Sequence, residues 1–370
     1  MASVSSASPN SHHSVVVQIV QHLQPGGLEI MVLNLHQANR EYQPMYIISL
    51  EGAKEDLLAT WPALAPFADQ IYCLAKPSAW SLTTIYRLTR LLYQLRPKVV
   101  HTHHIGPLIY GGLASKLAFV PKLIHTDHDA WYLDDPHLCQ LAKGAIKILR
   151  PVLIANAAPV ARQVQDRLGP DQLQVIVNGI DEQRFKMASA SQARECLGLP
   201  SDVKLIGCAA RLELVKGHDL LLLAMTYLPQ DVHLALAGVG SLQPELEKQC
   251  VQLEITSRVH FLGLVNDMPC FYQGLDLFCL PSLAEGMPLS ILEAQACGVP
   301  VVMSAVGAAQ DIVCPQSGQL LTTRDPQHLT QLLTLGLQHS EDIRQLTREF
   351  VCKQGTLKQM VEAYRLVYSD

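Results

Sequence analysis

The 370-residue chain lacks the marks of several protein classes. It has no basic excess: 28 lysines and arginines face 33 aspartates and glutamates, for a net charge of −5. That balance does not suit general nucleic-acid binding, which needs an evident surplus of positive charge. Ten cysteines are present, but none forms a C-x-x-C pair and their spacing is irregular. Several, such as Cys208, Cys279 and Cys297, sit inside apolar runs, so they read as reduced, buried small hydrophobes of a cytoplasmic protein. There is no G-x-G-x-x-G fingerprint and no G-x-x-x-x-G-K-[ST] loop, which argues against dinucleotide hydride transfer and P-loop chemistry. N-x-[ST] acceptors, heptads and internal repeats are also missing. The most apolar long stretch, Gly106 to Ile124, is interrupted by Ser115, Lys116, Pro121 and Lys122. Those breaks predict a buried helix followed by a strand rather than a membrane span. Residues 1–14 are rich in Ser, Asn and His without an apolar core, and predict a flexible tail rather than a signal peptide.

What is present is ample material for a core, with 49% hydrophobic and 16% charged residues in a length that suggests two domains. Short β-branched runs alternate with helical stretches. Ser14 to Val20 leads through Gly26-Gly27 into an apolar helix, Ile30 to Gln37. Strands are predicted at Met45 to Leu50, Gln70 to Leu74, Lys98 to Thr102, Lys122 to Thr126 and Val152 to Ala155, with helices at Leu82 to Leu95 and Pro107 to Leu117 between them. The rhythm restarts near Val175. A second series then predicts strands at Lys204 to Ala209, Val232 to Ala237, Val259 to Leu262 and Leu275 to Leu280, with helices at Gly217 to Leu228 and Leu242 to Leu253. Such alternation implies α/β architecture, with parallel sheets covered on both faces and ligands at the carboxyl ends of the strands. The expected division is a tail at 1–14, a first domain at 15–177, a second at 178–352, and a closing helix at 353–370 that crosses back to the first.

The richest stretch runs from Leu280 to Met303. It places Glu285 and Glu293 around Gly286-Met287-Pro288-Leu289, then closes a helix with Gly298 and Pro300. Pro288 suits the first helical position, and the first-turn amides beyond it can receive an anion. A glycosidase acid/base pair needs two carboxylates about 5–9 Å apart. Loop and helix separate these two, which favours different tasks. Arg211 and Lys216, directly after a predicted strand, could neutralise a diphosphate or be a solvated surface pair. Gly26-Gly27 and Gly238-Val-Gly240 permit close backbone approach, or simply turn. The clusters His101-Thr-His-His104 and His125-Thr-Asp-His-Asp129 could line a polar cleft, a reading favoured over a metal site because no coordination shell is completed. Lys143, Lys147 and Arg150 stand at helical spacing among Ile146, Ile148 and Leu149, and Arg87 and Arg90 mark another helix. These read either as solvated surface helices or as a surface for an anionic membrane.

Glu285 with Glu293, in the setting Glu-Gly-Met-Pro-Leu-Ser-Ile-Leu-Glu, resembles the E-x7-E region of the retaining nucleotide-sugar glycosyltransferases of family 4. The resemblance continues at Gly26-Gly27-Leu28-Glu29, Asn178-Gly-Ile-Asp181 with Arg184-Phe185, Arg211 with Lys216-Gly217, Gly238-Val-Gly240, and Val259 to Gly263 with Asp267. It implies the GT-B fold, two Rossmann-like doubly wound domains facing a cleft. It further implies that Glu285 and the amides of Gly286, Met287, Pro288 and Leu289 hold the donor sugar, Pro288 lacking an amide hydrogen of its own. Glu293 would take the nucleotide ribose, and Arg211 with Lys216 the diphosphate. Gly26 and Gly27 would form the phosphate and acceptor loop, and His125 would contact the donor sugar as a catalytic residue. No cofactor or metal is implied. The partners would be a UDP- or GDP-sugar and a saccharide or lipid-linked acceptor, in a cytoplasmic enzyme or one peripheral on the inner face of the membrane. A GT-B epimerase or hydrolase, and a silent sugar-nucleotide-binding subunit, are the alternatives. The Thr126-Asp-His-Asp129 continuation is more acidic than the family pattern.

Overall fold

The computed structural model describes residues 14–170 and 172–369. The tail expected at 1–14 lies outside them except for Ser14. Among the described residues thirteen strands run in chain order: β1 (Val16–Val20), β2 (Met45–Ser49), β3 (Ile71–Cys73), β4 (Val99–His103), β5 (Lys122–Asp127), β6 (Val152–Ala155), β7 (Gln174–Val175), β8 (Lys204–Ala209), β9 (Val232–Ala237), β10 (Val259–Gly263), β11 (Leu277–Leu280), β12 (Val301–Ser304) and β13 (Gln319–Leu321). They form two sheets, β3-β2-β1-β4-β5-β6-β7 and β10-β9-β8-β11-β12-β13, and the pairings within them are parallel. Strands buried on both faces carry continuous apolar runs, and every residue of β1, β11 and β12 is buried.

The chain gathers into two compact units. One holds residues up to 24, 32–126 and 144–152, and the other holds 25–31, 127–143 and 153 onward. In the first, the core under the sheet is Val17, Ile19, Ile48, Leu50 and Val100 packed with Ile85, Leu88 and Leu92. Those last three lie on one face of the helix Leu82–Leu95, at the spacing that amphipathic packing requires. Ser81 caps that helix by accepting from the Thr84 N–H at 3.1 Å. Gly106 to Ile124 forms the helix Ile105–Leu117 and enters β5 at Lys122, as its polar breaks predicted. Among the described residues no helix is long and apolar enough to cross a membrane. All ten cysteines are free thiols.

Two local expectations shift. The first helix begins at Gly27 rather than Ile30, so Gly26-Gly27 does not form a turn ahead of it; Gly27 opens the helix and the Gly26 carbonyl accepts from the Ile30 N–H at 2.9 Å. Pro288 is the cap of the helix Leu289–Ala296, with extended backbone (φ −70°, ψ 122°), and does not occupy its first turn. The first-turn amides therefore begin at Leu289.

The second unit is fastened by Arg194, which is buried in the helix Ala190–Leu197. Its guanidinium donates to the carbonyls of Gly274, Ser201 and Val203 and to the Asp276 carboxylate at 2.8 Å. Asp276 also accepts the Leu205 N–H at the start of β8. Removing the cation would strand a carboxylate and three carbonyls, the situation in which a buried ion pair is most costly to break, at about 3–5 kcal/mol. Arg194→Met is therefore expected to lower the thermal midpoint by many degrees while Arg194→Lys recovers part of it. Calorimetry on the purified variants measures both.

Candidate active site

In the second sheet the chain proceeds outward from β8 through β9 to β10, then returns to place β11 on the other side of β8. The loops leaving β8 and β11 diverge at this reversal, and in open parallel sheets such a point at the carboxyl ends is where ligands settle. The β8 loop carries Arg211 and Lys216, and the β11 loop carries Ser282, Glu285, Gly286 and Met287. The sequence therefore brings Arg211, Lys216, Glu285, Gly286 and Met287 to the reversal point of the second sheet.

There Lys216 Nζ lies 2.7 Å from Glu285 Oε1, and the Ser282 hydroxyl donates to the same oxygen at 2.7 Å. Side-chain exposures of 19% for Lys216 and 8% for Glu285 make this a largely desolvated pair. The Leu283 N–H donates to the Val215 carbonyl at 2.7 Å, which ties the two loops together through their backbones. Gly217 stands at φ +69°, and a Cβ there would lie 2.1 Å from the Pro281 carbonyl oxygen. Only glycine allows the loops to approach this closely.

Gly286 packs even more tightly against the segment after β5: a Cβ on it would fall 1.8 Å from the His128 carbonyl oxygen and 3.2 Å from Asp129 Cα. His128 and Asp129 thus adjoin the Glu285 loop, and the Asn156 side chain donates to the same His128 carbonyl at 3.1 Å. Tyr132 donates to Asp127 at 2.8 Å. Burial pushes the Asp129 carboxyl up to about 6, with the charges of Asp127 and Glu285 adding to the rise; Trp131 and Lys216 pull it the other way. The Asn178 amide reaches the Met287 carbonyl at 3.4 Å. A Cβ on Gly27 would lie 3.9 Å from Leu289, so the first-helix loop meets the start of the Leu289–Ala296 helix.

Glu293 occupies a different environment. It is buried and accepts from the Tyr272 hydroxyl at 2.7 Å. Burial raises its carboxyl above the ordinary range, while the Tyr272 hydrogen bond and the Arg184 charge moderate the rise. The two glutamates of the motif are thus one ion-paired carboxylate at a loop and one buried carboxyl inside a helix.

Not every candidate joins this group. Arg211 is exposed at the mouth of the β8 loop. Its neighbour Glu213 is held below the ordinary carboxylate range by the Ser241 N–H and hydroxyl, with a smaller pull from Arg211. His125 lies inside β5 in the first unit, fully buried, with Nδ1 3.0 Å from the Thr102 hydroxyl. His101 and His103 share a face of β4, as their spacing predicted, with ring centroids 4.1 Å apart. His101 meets Thr126 at 2.7 Å and His103 meets Gln18 at 2.9 Å. Burial, helped by the nearby His125, lowers His101 to about 3. His101 is therefore a neutral member of this buried network. Among the described residues no group of three or more His, Cys, Asp or Glu side chains is arranged to hold a metal ion. Ser282, Tyr272, His128 and Asp129 were not singled out by the sequence as site residues, although the acidic run after β5 had marked the last two.

A family model described as Glycosyltransferase Family 4 matches residues 14–184, and one described as Glycosyl transferases group 1 matches residues 189–349. A D-inositol 3-phosphate glycosyltransferase of Xylanimonas cellulosilytica is 32% identical over 253 residues, covering 62% of this chain and 60% of that protein. Among solved structures, Anabaena HepE in complex with UDP and glucose superposes with a TM-score of 0.84 at 22% identity, over 97% of this chain and all of that one. Sucrose-phosphate synthase from Thermosynechococcus elongatus gives a TM-score of 0.77 at 18% identity, over 96% of this chain and all of that one.

Asp129 yields a signed expectation. Its folded-state value near 6 lies above the ordinary 3.8, so the fold favours the protonated form. That contribution is fully present below about pH 4 and is lost as pH rises through 6. At neutral pH the ionised carboxylate is a net cost, which Asp129→Asn removes. The variant is expected to exceed the parent by about 2 kcal/mol at pH 7.5, with the gap closing toward pH 4. Denaturant unfolding across that range measures it, and a pH-independent gap would assign the titration to another group.

Proposed function

The chain belongs to the group 1 glycosyltransferases of family 4 and has the GT-B fold, and we propose that it moves a sugar from a nucleoside-diphosphate donor to a hydroxyl with retention of configuration and without a metal ion. The observation that carries this reading is Lys216 held 2.7 Å from Glu285 where the β8 and β11 loops diverge. A diphosphate leaving group needs positive charge placed before it arrives, because stabilising the charge that develops on it is the main catalytic lever. Lys216 is that charge, kept in place by Glu285 and Ser282, and the exposed Arg211 at the same loop adds a second cation with bidentate reach. The first-turn amides from Leu289 onward supply further donors for anionic or hydroxyl oxygens. Glu285 faces the sugar hydroxyls, and Glu293, set by Tyr272, takes the ribose.

In this reading the bond from the anomeric carbon to the phosphate oxygen breaks while the acceptor oxygen bonds to the same carbon on the same face. The acceptor proton passes to the leaving phosphate, so no dedicated base is required. Structures of HepE hold UDP or UDP-glucose, which supports a UDP-sugar as donor, with a GDP-sugar as the other nucleotide to test. The acceptor is a hydroxyl of a saccharide or lipid-linked saccharide. Because the match with the inositol phosphate enzyme spans three fifths of that protein, its acceptor is not transferred to this chain.

The test begins with the donor. A panel of UDP-, GDP- and ADP-sugars is expected to raise the thermal midpoint for one nucleotide class, since a ligand that binds only the folded state stabilises it. With that donor, Glu285→Gln and Lys216→Ala are each expected to lower turnover by about a hundredfold or more, as loss of a preorganised charge does. Proton NMR of the product should show the donor's anomeric configuration, and chelation should leave the rate unchanged. Full activity in Glu285→Gln would remove the site assignment.

A further inference from the structure

From Gln70 to Thr126 the chain has seven lysines and arginines and not one aspartate or glutamate, in a protein whose net charge is −5. The helix Leu82–Leu95 lies within that stretch and is apolar on two sides. Its inward face, Ile85, Leu88 and Leu92, packs on the first sheet. Its outward face repeats Leu82, Tyr86 and Tyr93 at helical spacing, 81%, 67% and 66% exposed, with the exposed Arg87 and Arg90 beside them. Just before the helix, Trp80 is 64% exposed.

The head of this face is held in position. Trp80 stacks on the ring of Tyr110 at 5.2 Å, Lys76 lies over the same ring at 5.5 Å, and the Tyr110 hydroxyl accepts from the Ser81 N–H at 3.0 Å. Single exposed apolar residues are common on protein surfaces, but a stripe of Trp, Leu and two Tyr flanked by arginines is not. Trp and Tyr settle at the level of lipid headgroups, where one end of the ring is apolar and the other wet. Arginines beside them on a helix that presents no groove fit a broad negative surface.

We infer that the outward face of Leu82–Leu95, with Trp80 at its head, docks the protein on an anionic lipid bilayer. Charge complementarity selects this occupant: the acid-free stretch repels no phosphate headgroup, and the aromatic stripe enters the interfacial layer. The helix Pro136–Leu149, the other surface that the sequence suggested, exposes Leu141 and Ile148 but begins beside Asp134 and Asp135 and carries no Trp, Tyr or Phe. The inference is independent of the donor reading, because it concerns a different unit and is tested without any sugar nucleotide.

The experiment is flotation of the full chain with vesicles of phosphatidylcholine alone and of phosphatidylcholine mixed equally with phosphatidylglycerol. Binding is expected only to the anionic vesicles and should be released by high salt, which screens charges beyond a few ångströms. R87E/R90E is expected to lower partitioning about twentyfold or more, and Y86S/Y93S about tenfold. K147E/R150E should stay within about threefold of the parent. These side chains are exposed, so unchanged melting curves accompany all three variants. Absence of binding to anionic vesicles overturns the inference, as does parental binding by both R87E/R90E and Y86S/Y93S. Two other outcomes also overturn it: a dimer in sedimentation that Y86S/Y93S abolishes, which would make the face a contact between two copies, and binding to single-stranded RNA in place of vesicles.

Discussion

The ion pair between Lys216 and Glu285 is the constraint on which the second unit's functional end depends. Two largely desolvated charges 2.7 Å apart, with Ser282 on the shared oxygen, bind the β8 loop to the β11 loop. Such a pair adds little to stability, because desolvation cancels much of the Coulombic gain. Its value lies in position. It holds a cation in a low-dielectric crevice, where a charge acts more strongly on its surroundings than it would in water. The backbone bond from Leu283 to Val215 and the close passage of Gly217 by the Pro281 carbonyl keep the pair from relaxing toward solvent.

The close passage of Gly286 has a second consequence. Because a Cβ there would meet the His128 carbonyl, the loop after β11 and the segment after β5 sit backbone to backbone. Asp129 is thereby brought into the field of Glu285 and Lys216. Asp127, Asp129 and Glu285 therefore share one neighbourhood, and the rise of Asp129 toward neutrality is how the fold accommodates them. A buried carboxyl beside others of its kind takes up a proton more readily than it bears the repulsion.

The architecture was legible in the sequence because its signals are local. The spacing of Ile85, Leu88 and Leu92 and the capping Ser81 define the helix Leu82–Leu95, and β-branched runs define most of the strands. The motif residues Glu285 and Glu293 were visible through their setting. What escaped notice were the pairings across long stretches of chain. Arg194 reaches Asp276 and Tyr272 reaches Glu293 only after folding, and nothing in the residues around each names its partner. His128 and Asp129 fall in the same class. Their relevance follows from the approach of Gly286, a contact between segments more than 150 positions apart, whereas His125 in the same run points into a network with Thr102. The shift of Pro288 from first turn to cap has a simpler origin: its fixed φ suits both positions, and only the extended ψ distinguishes them.

The two glutamates show how one motif supports unlike tasks. Glu285 lies on a loop, with the Lys216 ammonium and the Ser282 hydroxyl both on its Oε1. Glu293 is enclosed by its helix and by Tyr272, where burial penalises the ion and leaves Arg184 and the phenol to moderate that penalty. A carboxyl so placed is hard to ionise and is matched by neutral hydrogen-bond donors such as the Tyr272 hydroxyl, which add no charge. The environments, rather than the residue type, therefore set the two glutamates apart, and the eight-residue separation is what allows one to remain at the loop while the other is buried in the helix.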